Sequence, residues 1–145
     1  MKVAVFAVRV LLGGLLLAAG ALKVAHPAEL ASNIAGFRLL PPDVVGPLAI
    51  ALPYVELLLG AYLIVGLFTK AIATIAAAQF IIYAGAIGSA VLRHIPANCG
   101  CFGPQDSATA DWPHVAFDVL LAVAAIFIAR AAPGALAVDG RFSHS

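Results

Sequence analysis

The sequence predicts an all-α fold: a polytopic membrane protein built as a four-transmembrane-helix bundle, with a short amphipathic interfacial helix between spans 1 and 2. Three observations predict it. The chain of 145 residues is 63% hydrophobic and only 10% charged, against about half apolar and a quarter charged in an ordinary soluble domain. Its mean hydropathy is +1.07, leaving too few polar residues to cover a soluble core. The apolar residues gather into four runs, each near the roughly 20 residues that cross a bilayer core.

The first span covers about residues 3–22. Met1-Lys2 and the small residues Ala18-Ala19-Gly20-Ala21 give it some likeness to a secretory signal, but the apolar run is longer than a signal core, and it reads as a retained span. Arg9 lies two turns in and is expected to snorkel to the nearer interface. Lys23 closes the far end. Gly13, Gly14 and Ala18 form a small-residue face suited to close helix approach. From Val24 to Val45 the chain is too polar to span. Pro27 suits a first helical turn, and Leu30, Ile34, Phe37 and Leu40 recur at helical spacing, so a short amphipathic helix is expected at the membrane surface until Pro41-Pro42 stops it.

The second span covers about residues 46–68, with Pro53 inside it and Glu56 near its middle. Thr69-Lys70 makes a very short connection, so the third span, about 71–92, should return antiparallel. Its polar groups are Thr74, Gln79, Tyr83 and Ser89, and Ala84/Gly88 and Gly85/Ser89 are small-xxx-small pairs. The polar loop 93–111 follows. Asp111 is a candidate N-cap with Pro113 in the first turn, opening the fourth span at about 112–132, which Pro133-Gly134 ends. The tail to Ser145 reads as short and mobile. The whole of 1–145 reads as a single membrane domain.

Four spans place both termini on one face and the loop 93–111 on the other. The terminal face holds Lys2, Lys70, Arg130, Arg141 and Arg9; the loop face holds Lys23, Arg38 and Arg93. The positive-inside rule then puts the termini in the cytoplasm and the loop outside. A net charge of +1 with no basic cluster argues against nucleic acid as a partner.

The chemistry concentrates in Asn98-Cys99-Gly100-Cys101-Phe102-Gly103, which holds the only two cysteines. A pair this close is a redox couple, a structural disulfide or part of a metal site. Metal sites usually draw three or four ligands, and one pair supplies two. A disulfide across one residue closes a small strained ring and almost no loop, so it gives little entropic stabilisation and a raised reduction potential. Gly100 and Gly103 permit unusual backbone angles, and Asn98 suits a turn. His94 and His114 flank the loop, with His26 on the same face, as groups able to lower a thiol pKa or take a proton. His114 and Asp118 are one turn apart and are expected to pair. The bland alternative is that these are polar residues at a water boundary.

Glu56 is the other group that needs an account, because a carboxylate near the bilayer centre is costly unless neutralised or paired. By rise per residue it lies roughly 15 Å below the loop face, level with Tyr83. Glu56 and Tyr83 are candidates for handling protons beside a membrane quinone or binding a polar group. A protonated carboxyl bonded between helices is the structural alternative.

Gly20-Ala-Leu-Lys23 with His26-Pro27, then Leu52-Pro53-Tyr-Val-Glu56 with Gly60 and Gly66, resembles the DoxX-like membrane proteins. The Asn98–Gly103 motif is similar to the methylamine-utilisation protein MauE branch of that group. The resemblance covers most of the chain, and Glu56, Cys99 and Cys101 are the matching positions. It implies a four-span bundle in a bacterial inner membrane, associated with maturation of the disulfide-rich small subunit of methylamine dehydrogenase beside a thioredoxin-like partner. Related DoxX-type proteins imply quinone-coupled thiol oxidation. The resulting expectation is a membrane thiol–disulfide oxidoreductase or redox-maturation factor. Its pair exchanges with an extracytoplasmic thioredoxin-like protein and, through it, with a maturing disulfide-bearing client; a membrane quinone is the candidate cofactor. A non-enzymatic scaffold for a redox partner is the alternative, and a small-molecule carrier using Glu56 is a third reading.

Overall fold

The computed structural model describes residues 1–98, 109–132 and 134–142. Among them the elements are helices α1 (Lys2–Val24), α2 (Pro27–Gly36), α3 (Pro42–Val65), α4 (Thr69–Leu92), α5 (Trp112–Ala131) and the single turn α6 (Asp139–Phe142). Helices α1, α3, α4 and α5 are each long and apolar enough to cross a membrane, and the chain is an all-α multi-pass membrane protein. The side chains these helices turn outwards, such as Leu11, Ile50, Leu58, Ile82 and Leu120, are large and apolar, as a lipid-facing surface requires.

The boundaries follow from local chemistry. Pro27 and Pro42 sit in the first turns of α2 and α3, where the missing N–H costs nothing. Pro41-Pro42 therefore opens α3 rather than only stopping α2, which ends earlier than Leu40, at Gly36. Pro47 and Pro53 lie inside an unbroken α3. Gly66, at φ +77°, ends α3 in the left-handed conformation, with its N–H bonded to Tyr62 O at 2.8 Å. Asp111 caps α5 by accepting from His114 N at 3.1 Å.

Packing pairs α1 with α3 and α4 with α5, and α1 also touches α5. The core between them is built from Leu12, Leu16, Leu59, Leu63, Ala76, Phe80 and Ala125, among others. Although α3 and α4 are joined by a tight turn, they touch each other much less. A cleft is left between them. The α1–α3 contact is made by glycine: a Cβ on Gly60 would lie 2.6 Å from Gly13 O, and one on Gly20 would lie 2.8 Å from Pro53 O. Of the small residues expected to form interfaces, Gly13 does so, whereas Gly14 and Gly85 meet nothing within 4 Å.

The C-terminal segment departs from the expected mobile tail. It folds back under the bundle: Ala135 N bonds to Lys2 O, Val138 N to Val65 O and Asp139 N to Gly66 O. Arg9 is buried, not snorkelling outwards, and donates to Ala135 O at 3.2 Å. Asp139 caps α4 from a distance, its two carboxylate oxygens accepting from Phe68 N (2.7 Å) and Thr69 N (2.6 Å). Burial pushes the Asp139 carboxyl up, but the bonds from Thr69 and Phe68 and the charge of Arg9 outweigh it and hold it below the ordinary value. A depressed carboxyl contributes stability above its unfolded pKa of about 4 and loses it as pH falls through the folded value. The segment 134–142 should therefore resist limited proteolysis at neutral pH and lose that protection in acid. Asp139→Asn should make it protease-sensitive already at pH 7, with a cost of about 1 kcal/mol for the lost cap.

Candidate functional site

Four polar side chains from three helices meet inside the bundle. Lys23 of α1 places Nζ 2.9 Å from Glu56 Oε1 and 3.1 Å from Oε2. Tyr83 OH donates to Glu56 Oε1 at 2.5 Å, and Gln79 Nε2 donates to the same oxygen at 3.1 Å and to the Tyr83 hydroxyl oxygen at 3.0 Å. Glu56 is 1% exposed and Lys23 2%. The Lys23 ammonium also lies 5.5 Å from the centroid of the Tyr83 ring, within cation–π range. Glu56 Oε1 thus receives three donors, which offsets the desolvation that a buried carboxylate otherwise suffers.

Glu56 and Tyr83 were singled out by the sequence, and the structure bonds them directly. Lys23 was counted there as a loop-face cation and Gln79 only as a polar residue of its span. The helix register accounts for both. Gly13 packs on Gly60 and Gly20 on Pro53 and Leu57, so in the antiparallel α1–α3 pair Lys23 lies about one turn from Glu56. A lysine side chain covers that distance. Gln79 is one turn before Tyr83 on α4 and shares its face.

Asp118 lies on the buried face of α5 with Ala122, Ala125 and Ile128. The expected His114–Asp118 pair does not form. His114 Nδ1 instead contacts Asp111 Oδ1 at 2.5 Å, because the capping carboxylate already sits beside the first turn. That contact holds the Asp111 carboxyl below its usual range. Asp118 is 3% exposed and its Oδ2 has no hydrogen-bond partner among the described residues. It faces a small cavity of about 20 Å³ shared with Glu56, Tyr83 and Phe117, large enough for one water.

A larger cavity of about 210 Å³ occupies the α3–α4 cleft. Leu30, Ile34 and Phe37 of α2 line it, so the apolar stripe of the amphipathic helix faces this space, which Lys23 and Tyr83 also border. Arg93, at the end of α4, ties α2 down through Nη2 to Phe37 O at 2.5 Å.

Cys99 and Cys101 lie outside the described residues. Their loop is closed at its base by a bridge between Asn98 and Thr109, with Ala110 N bonded to Ala97 O at 2.8 Å. His94, exposed and at φ +55°, follows the end of α4 on the same side. His26 is half-exposed, 3.9 Å from Glu29.

The family model described as "Methylamine utilisation protein MauE" matches residues 1–131. The chain is 31% identical over 132 residues to methylamine utilization protein MauE of Paracoccus denitrificans, an alignment covering 90% of this chain and 71% of that protein. No solved structure matches the chain significantly.

Proposed function

The chain belongs to the MauE family of methylamine utilisation proteins, and from that premise we propose that it is a redox-maturation factor whose Cys99–Cys101 pair exchanges with an extracytoplasmic thioredoxin-like protein. What supports this reading is the sequence around the pair. The only two cysteines of the chain come directly after Asn98 in the sequence, and Asn98 bridges Thr109 between the ends of α4 and α5. The proposed topology has the termini in the cytoplasm of a bacterial cell and the loop outside its inner membrane. Lys23 and Arg9 are both buried, which leaves Lys2, Lys70, Arg130 and Arg141 against Arg38 and Arg93 and keeps the charge bias in the same direction.

In this reading a thiolate of the reduced partner attacks one sulfur of the Cys99–Cys101 disulfide and forms a mixed disulfide. The partner's second thiolate then resolves it. The partner leaves oxidised and carries its disulfide to the client, proposed as the disulfide-rich small subunit of methylamine dehydrogenase. Cys99 and Cys101 are left as a dithiol. Restoring the disulfide releases two electrons and two protons, and a lipid-soluble quinone held near Glu56 and Tyr83 would supply the two-electron oxidant that accepts them. In this reading His94 and His114 accept the thiol protons, with Asp111 orienting His114. Glu56 and Tyr83 serve the quinone end, and Asp118 is proposed to pass protons through the small cavity between them.

The test is a trap. With the thioredoxin-like protein's second active-site cysteine replaced by serine, its remaining thiolate should accumulate a mixed disulfide with the intact Cys99–Cys101 pair, visible on non-reducing gels and identified by mass spectrometry. The Cys99→Ser/Cys101→Ser protein should form none and should stop client disulfide formation while still inserting in the membrane. Client maturation at the normal rate in the double variant would replace this reading with that of a non-enzymatic scaffold.

A further inference from the structure

We infer that the α2–α3–α4 cavity is a binding site for the ring of a neutral, lipid-soluble carbonyl compound, held by donors from Lys23 and Asn33. The cavity is almost wholly apolar, and its rim includes Ile82, Leu39 and Leu40, which are 67%, 48% and 42% exposed. Its mouth therefore meets hydrocarbon, and a ligand arrives from the bilayer rather than from water.

Two polar side chains on its wall, Lys23 and Asn33, have donor capacity to spare. Lys23 has three N–H bonds and gives two to Glu56, which leaves one. Asn33 also lines the cavity, and its Nδ2 is buried with no hydrogen-bond partner among the described residues. An unpartnered buried amide costs about 1–3 kcal/mol, and a ligand acceptor would remove that penalty. Tyr83 gives its proton to Glu56 and its oxygen already accepts from Gln79. A head group that accepts hydrogen bonds would fill these donors. Because Lys23 and Glu56 neutralise each other, the head is uncharged. Size agrees: a dry cavity of about 150 Å³ admits benzene, so about 210 Å³ admits a substituted six-membered ring whose tail leaves by the mouth.

Two membrane molecules carry such a carbonyl, a quinone and the acyl ester of a neutral lipid. The assignment to a quinone rests on the redox reading above; the site itself rests on the cavity and its donors. The same ring on Lys23 would lie next to the Tyr83–Glu56 pair, where protons accompany its reduction.

The experiment uses the full chain in nanodiscs with a photoreactive azidoquinone, competed by decylbenzoquinone or by a short-chain diacylglycerol. Labelled peptides are mapped by mass spectrometry. Label should fall on residues 33–40 and 82–87, and decylbenzoquinone should suppress it while diacylglycerol does not. Ala86→Phe, which fills the cavity, should reduce labelling more than tenfold. Asn33→Leu, similar in size and on a partly exposed helix, should weaken competition about tenfold with the thermal stability retained. Suppression by diacylglycerol alone, labelling confined to other helices, or labelling indifferent to Asn33→Leu would overturn the inference. The Cys99→Ser/Cys101→Ser protein separates the two claims. Cavity labelling that persists there supports the site whatever the thiols do, and a trapped mixed disulfide without cavity labelling sinks the site alone.

Discussion

Glu56→Ala should destabilise the bundle by about 3–5 kcal/mol, the typical cost of leaving one partner of a buried ion pair uncompensated. The alanine removes the acceptor for Lys23, Gln79 and Tyr83 together. Lys23 is then an ammonium with 2% exposure that has lost its bonded counter-charge. Lys23→Ala should cost a similar amount for the opposite reason, by stranding the carboxylate. The double replacement Lys23→Met/Glu56→Leu removes both charges at similar volume and should recover most of the loss, since buried pairs often replace well by apolar residues. Thermal unfolding in detergent micelles, with the four proteins side by side, reads this directly. Additive losses in the double variant would show that the two residues do not act as a pair. Recovered stability with lost function would identify the cluster as kept for chemistry rather than for folding.

The second large effect is steric. In Gly60→Leu even the first carbon would lie 2.6 Å from Gly13 O and 2.9 Å from Leu17 N. These are backbone atoms of a packed helix and do not swing aside, so α1 and α3 must separate. Overpacking of this kind costs about 1–3 kcal/mol. It also moves Lys23 away from Glu56, because the two are held in register by that glycine contact. Gly14→Leu, one residue from Gly13 but facing open space, should change neither stability nor the ion pair. If Gly60→Leu and Gly14→Leu unfold at the same temperature, α1 and α3 do not meet as described.

Much of the architecture was legible because it depends on local rules. Four apolar runs of bilayer length give four helices, Pro27 and Pro42 mark helix starts, and Asp111 announces its own cap three residues before His114. Glu56 was legible as a candidate because a carboxylate in an apolar run must be neutralised or paired. Its partner was not, since a lysine ending a span normally reads as an interfacial anchor. Only the α1–α3 register, set by Gly13, Gly20 and Gly60, brings Lys23 inwards, and register is a tertiary fact. The same holds for the tail. Nothing local to Asp139 says that it caps a helix seventy residues earlier. His114 chose Asp111 over Asp118 because capping geometry had already fixed the nearer carboxylate, whereas helical spacing alone allowed both.

The most direct test of the redox reading is the reduction potential of the Cys99–Cys101 pair in native membranes, measured by thiol alkylation in glutathione buffers of graded poise. A pair that exchanges with a thioredoxin-like partner should titrate near or above about −200 mV. A potential below about −300 mV, the range of structural disulfides, would contradict the account and leave the loop as a stiffened scaffold.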